Sequence, residues 1–166
     1  MSKDIQRNFV FKNVMAYRIG PNWNATVPEI EAALSANRFS ECTPGQDKSV
    51  GWTEPRNVAN GPLLESIGGH WIAKLLIETK AVPSSVVKRK AEIQAQEIEA
   101  QTGRKPGKKE TREMREDILH SLLPQAFAKQ GTVMVWINPK DRLLAIDAGS
   151  TGKADEIITQ LVRALP

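Results

Sequence analysis

The sequence is poor in the side chains on which most chemistry depends. Its 166 residues include one cysteine, two histidines and one tyrosine. A lone cysteine, Cys42, excludes a disulfide within the chain and fits a reducing compartment such as the cytoplasm. A reactive thiol needs an activating partner, so a catalytic Cys42 is not expected. His70 and His120 lack a second His, Cys or carboxylate at metal-ligand spacing. No zinc site and no cofactor are therefore expected, and both read as ordinary surface or edge histidines. Ser66, Ser84 and Ser85 have no nucleophile-elbow context. The stretch "DAGSTGKAD" (147–155) holds Gly152-Lys153, but it lacks the earlier glycine of a phosphate loop and has Ala154 where Ser or Thr is required. It reads as the start of a helix capped by Ser150 or Thr151. Long apolar runs are missing too. None approaches the roughly 18 residues of a membrane span, and "MSKDIQRN" has no apolar stretch behind its charges, so neither a membrane anchor nor a secretory signal is expected. Nothing in this inventory points to an enzyme.

Positive charge is present, and it is concentrated. The net charge is +4, from 23 Lys and Arg against 19 Asp and Glu. Residues 88–115 carry nine basic groups (Lys88, Arg89, Lys90, Arg104, Lys105, Lys108, Lys109, Arg112, Arg115) against five Glu. The segment thus accounts for the whole excess. A local excess marks either a surface with an anionic partner or a solvated tip.

The periodicity predicts the order β-α-β-β-β-(αα)-β-β-α. Residues 9–19 read as a strand rich in Val, Phe, Tyr and Ile. A helix follows, with Thr26, Pro28 and Glu29 in a capping-box arrangement, Ile30, Ala33 and Leu34 on its apolar side and an end near Asn37. Phe39 to Trp52 suggests two short strands about a turn, and 54–62 a loop. In "HWIAKLLIETK" (70–80), Trp71, Ala73, Leu75 and Ile77 would face one way and Lys74, Glu78 and Lys80 the other. Pro83 opens a helix to about Gln101 with a narrow seam of Val87, Ala91, Ala95 and Ile98. Gly103, Pro106 and Gly107 break it. A second helix runs from near Lys108 to before Pro124, with Met114, Ile118 and Leu122 on one ridge and Leu119 and Leu123 beside it. Residues 131–138 and 142–147 form a β-hairpin. A last helix buries Ile157, Ile158, Leu161 and Leu165. Trp71 and Trp136 are expected in the core, whereas Trp23 and Trp52 are loop-adjacent. The expected fold is α+β: a mixed or antiparallel sheet domain with flanking helices, 1–82 and 128–166, carrying a protruding antiparallel helical hairpin inserted at 83–127.

Several segments, in order, resemble the N-terminal half of the RdgC recombination-associated protein family. They are "FKNVMAYRI" (11–19), Gly51-Trp52, "VANG" (58–61), the charged helix after Pro83, "ILHSLLPQAF" (118–127) and "MVWI" (134–137). The resemblance extends over nearly the whole chain, while family members are nearly twice as long. It implies a bacterial nucleoid-associated protein that forms a ring-shaped homodimer, encloses duplex DNA without reading its sequence, and restrains RecA recombinase.

Duplex DNA carries about one negative charge per 1.7 Å of axis, so clustered cations gain affinity by releasing counterions whatever the sequence. The residues expected to meet DNA are Lys88, Lys90, Arg104, Lys105, Lys108, Lys109, Arg112 and Arg115, with Lys108, Arg112 and Arg115 sharing a helix face. Phe127, just beyond a helix stop at Pro124, fills the core or anchors a second subunit. The functional expectation is sequence-independent binding of double-stranded DNA, without catalysis. The alternative is a protein-interaction module that docks its hairpin on a partner.

Overall fold

The computed structural model describes residues 10–165. Phe9 of the expected first strand and the N-terminal stretch 1–8 lie outside the described residues. The elements are β1 (Val14–Arg18), α1 (Val27–Ala36), β2 (Lys48–Thr53), β3 (Leu64–Ile67), β4 (His70–Lys80), α2 (Ser84–Thr102), α3 (Lys108–Leu122), a 3₁₀ turn (Leu123–Gln125), β5 (Ala128–Asn138), β6 (Leu143–Asp147) and α4 (Thr151–Ala164). The strands form a six-stranded sheet in the order β1-β6-β5-β4-β2, with β3 paired to β4. The β1–β6, β5–β6 and β3–β4 ladders are antiparallel. The class is α+β.

The chain divides into two compact units. One holds Met1–Ser40, Val50–Ile77 and Gly131–Pro166, and the other Glu41–Ser49 and Glu78–Gln130. In the first, strand alternation sends Ala73, Leu75, Val133, Val135, Ile137 and Ile146 into one core, where Ile30 and Leu34 of α1 meet Ala154, Ile157 and Leu161 of α4. The cap of α1 is closed by Glu29, whose carboxylate accepts from both the amide and the hydroxyl of Thr26 at 2.7 Å. Ser150 accepts from the Lys153 amide at 3.3 Å and starts α4. In the second unit, Val87 and Ala91 of α2 bury against Met114 and Ile118 of α3, with Ala95, Ile98 and Leu122 partly buried beside them. The two helices are joined by five residues, and Gly103 ends α2 in the left-handed region at φ 73°.

The element order has the expected string, but one strand is exchanged for another. Residues 39–47 form no strand. The Phe39 amide bonds the Trp52 carbonyl (2.9 Å), while the Cys42 and Thr43 amides bond the side chains of Glu78 and Gln46 (2.7 and 2.9 Å). With those donors committed, only an isolated Arg38–Trp52 bridge remains. The extra strand is β3. Glu31 of α1 accepts from the Leu63 and Leu64 amides at 2.8 and 2.7 Å, and Gly68-Gly69, both at positive φ, turn the chain into β4.

The face of β4 opposite Ala73 and Leu75 buries both Lys74 and Glu78. Trp52, loop-adjacent by sequence, is the largest fully buried side chain, whereas Trp71 and Trp136 are half-buried. Trp71 meets Trp23 edge-on at 6.2 Å, and Trp136 stacks on His70 at 5.2 Å.

Trp52 reaches its site because Gly51 lets two backbones touch. A Cβ at Gly51 would lie 2.5 Å from the Phe39 nitrogen, 2.8 Å from the Arg38 carbonyl carbon and closer still to the Phe39 Cα. These are backbone atoms that no rotamer change can move. Gly51→Ala is therefore expected to destabilise the fold by about 3 kcal/mol or more, read by urea denaturation. A change within about 0.5 kcal/mol would show that the contact relaxes freely.

Candidate nucleic-acid interface

The exposed cations of α2, α3 and their connecting loop differ sharply in how they are held. All eight of the expected DNA-contacting residues are exposed and all lie in the second unit. Arg104 is clasped by Glu110 through two bonds, Nη1 to Oε2 at 2.8 Å and Nη2 to Oε1 at 2.7 Å. The same carboxylate accepts from the Gly107 amide at 2.7 Å, the first unpaired donor of α3. Arg104 thus closes the Gly-Pro-Gly turn.

Three other cations have loose partners one helical turn away: Lys88–Glu92 at 3.8 Å, Lys109–Glu113 at 3.8 Å and Arg112–Glu116 at 3.7 Å. Exposed pairs of this kind contribute from nothing to about 1 kcal/mol, so these side chains exchange partners readily. Lys90, Lys105, Lys108 and Arg115 make no ion pair among the described residues. Lys108 and Arg115, seven residues apart, share a face of α3. These side chains therefore leave their positive charge exposed to solvent.

Phe127 follows the 3₁₀ turn and is 95% exposed. The core option open to it by sequence is therefore ruled out. Leu119 is also exposed, at 37%, whereas Leu123 next to the turn is buried.

The clasp was not anticipated from the sequence, where Arg104 was grouped with the free cations. The signal was nevertheless there: an Arg six residues before a Glu, with Pro106-Gly107 between them and the Glu at the third position of a helix. Elsewhere, burial and the adjoining Glu78 push the Cys42 thiol above its ordinary range, the reverse of an activated thiolate. Among the described residues no group of three or more His, Cys, Asp or Glu is placed to hold a metal ion. No helix there is long and apolar enough to cross a membrane.

Fold and surface together define a basic α+β protein with a cluster of exposed cations on α2, α3 and their connecting loop. Residues 9–166 match the family described as "Putative exonuclease, RdgC". The chain is 38% identical over 155 residues to the recombination-associated protein RdgC of Dechloromonas aromatica, covering 93% of this chain and 50% of that relative. It is 39% identical to the protein of that name from Cupriavidus necator and 36% to that from Aeromonas hydrophila, in each case over 93% of this chain and 51% of the relative. The chain belongs to the RdgC family. It spans about half the length of these relatives.

The Arg104 guanidinium, and after it the Gly107 amide, hold Glu110 at a pKa of about 2, below its ordinary 4.5. A carboxylate depressed by folding contributes stability above its unfolded pKa and loses it as pH falls through the folded one. The clasp should therefore stay closed at pH 4.5 and open as pH approaches 2. In Arg104→Gln, carboxyl NMR should show Glu110 titrating much nearer 4.5. An unshifted Glu110 in that variant would assign the depression to the Gly107 amide alone.

Proposed function

We propose that this chain binds double-stranded DNA without sequence preference, through the free cations of α2, α3 and their loop. The observation that carries the reading is the set of exposed, unpaired Lys90, Lys105, Lys108 and Arg115 in a member of a family whose relatives are named recombination-associated. Their gain comes from counterion release, which is blind to base sequence. In the cell the protein would sit on the nucleoid in the cytoplasm and modulate RecA-dependent recombination. Its role is binding rather than cleavage, in contrast to the exonuclease of the family description. Incubation with end-labelled duplex and Mg²⁺ or Mn²⁺ separates the two, since progressive shortening of the label overturns the non-catalytic reading.

The binding reading is tested by replacing Lys90, Lys105, Lys108 and Arg115 together with Gln. Affinity for unrelated duplexes should fall by a similar factor for each. The slope of log affinity against log salt should flatten by about 0.9 for every side chain that meets a phosphate. A drop of about 2 or more is expected for the four. An unchanged slope in a folded variant would move any DNA to another surface.

Phe127 supports a second feature of this reading, contact with another copy of the chain. A phenylalanine left 95% in water is free to serve as the anchor of such a contact. In the proposed homodimer it is the apolar anchor. Phe127→Ser should weaken self-association in sedimentation while leaving the melting temperature within about 2 °C of the parent, because exposed positions carry little folding energy. Unaltered self-association would remove Phe127 from the interface.

A further inference from the structure

The first unit contains a polar cavity that the proposed DNA surface does not use. Its volume is about 540 Å³, and its lining includes Lys12, Asn13, Asn57, Lys74, Asp147 and Lys153. This volume lies in the range of small-ligand sites. Strand alternation puts Lys74 and Asp147 on the sheet face opposite Ala73, Leu75 and Ile146, the residues that enter the helix-covered core.

Lys74 is the informative member. It is 5% exposed, and its ammonium donates to the Pro55 carbonyl at 3.4 Å and to the Asn57 side-chain oxygen. Neither acceptor is charged, and a third donor remains. The carboxylate that acts on it through space is Glu54, which is already bonded to Arg38 at 2.9 Å and to the Thr53 hydroxyl at 3.2 Å. Burial accordingly pushes the Lys74 ammonium below its ordinary range, with Glu54 opposing. A buried cation without a dedicated counter-ion is costly, and an anion in the cavity would offset that cost.

The remaining lining has the matching sign. Lys12 and Lys153 make no ion pair among the described residues. Asp147 is the one carboxylate among the lining residues, and its Oδ1 accepts from the Lys12 and Asn13 amides at 3.1 and 2.8 Å. Lys153 stands in the first turn of α4, where the helix dipole adds to its charge. The segment "GSTGK", which fails as a phosphate loop by pattern, is thus brought beside a buried lysine from β4.

We propose that this cavity binds a phosphoryl dianion, with Lys74 at its buried wall and Lys12 and Lys153 at its rim. The ligand class is a terminal phosphate dianion: inorganic phosphate or the monoester phosphate of a small nucleotide. A duplex is too wide to bring its backbone to an amine this deeply buried. The site lies in a different unit from the DNA-binding cations and stands whether or not that reading holds.

Calorimetric titration of the whole chain with inorganic phosphate, and separately with adenosine 5′-monophosphate, tests this at constant ionic strength. Saturable binding at one site is expected. Lys153→Gln should weaken it about tenfold, the effect of one lost charge-assisted hydrogen bond. Lys74→Met should abolish it, and if that variant fails to fold, Lys153→Gln still decides the matter. The Lys90, Lys105, Lys108, Arg115 quadruple Gln variant should bind phosphate as the parent does. Equal affinities for the two ligands assign the site to free phosphate, and tighter binding of the monophosphate assigns it to a nucleotide. Absence of saturation, undiminished binding in folded Lys153→Gln, or loss of binding in the quadruple variant would overturn the proposal.

Discussion

The middle of strand β4, residues 72–75, is buried on both faces, and the charged groups that the strand buries, Lys74 and Glu78, find their partners inside the protein. On the helix-covered side, Ala73 and Leu75 join the main core. On the other side stand Lys74 and Glu78, each at most 5% exposed. An unsatisfied buried charge would cost more than a typical apolar contact returns, so the neighbouring chain is built around these two residues. Glu78 accepts from the Cys42 amide and from Gln130, both at 2.7 Å, and those bonds hold its pKa below the ordinary range. Lys74 draws in Pro55 and Asn57, the latter at a positive φ of 58°. Loops that look unstructured in sequence are fixed because a buried strand needs their acceptors and donors.

The helical pair obeys a different economy. Its buried seam is narrow, with Val87, Ala91, Met114 and Ile118 at its centre, and most of its surface faces water. Helices of this kind gain little from burial and depend on each other and on a well-formed turn. The Arg104–Glu110 clasp supplies that turn, at 2.7 and 2.8 Å, which commits one cation to the fold while fixing where its neighbours are displayed. A tight turn and loosely held lysines are complementary: one sets position, the others keep charge available for a mobile, repetitive partner such as a phosphate backbone.

Positive charge occurs in two settings in this chain, and burial separates them. In the second unit the free cations are exposed, suited to a polyanion that approaches from solvent. In the first unit Lys74 is enclosed and leans on neutral oxygens, suited to a small anion that enters a cavity. Net charge alone does not distinguish these arrangements.

The sequence by itself determined what local chemistry determines. The capping residues around Thr26 and Glu29, the ends of α2 and α3 at Gly103 and Pro124, the limits of β4 and the concentration of basic residues at 88–115 were all legible there. So was the family, through motifs such as "HSLLPQAF". β3 was not legible, because the amides at its start are held by Glu31, more than thirty residues earlier. Tertiary structure alone decided that Cys42 gives its amide to the side chain of Glu78, that Trp52 is the fully buried tryptophan, and that Phe127 is exposed. It decided which arginine is clasped and which lysines are free. It also placed Lys74 beside Lys153, nearly eighty residues apart in the chain. Periodicity reports which way a side chain points, but not what stands opposite, and long-range contacts settle whether an outward-pointing lysine meets water or a wall.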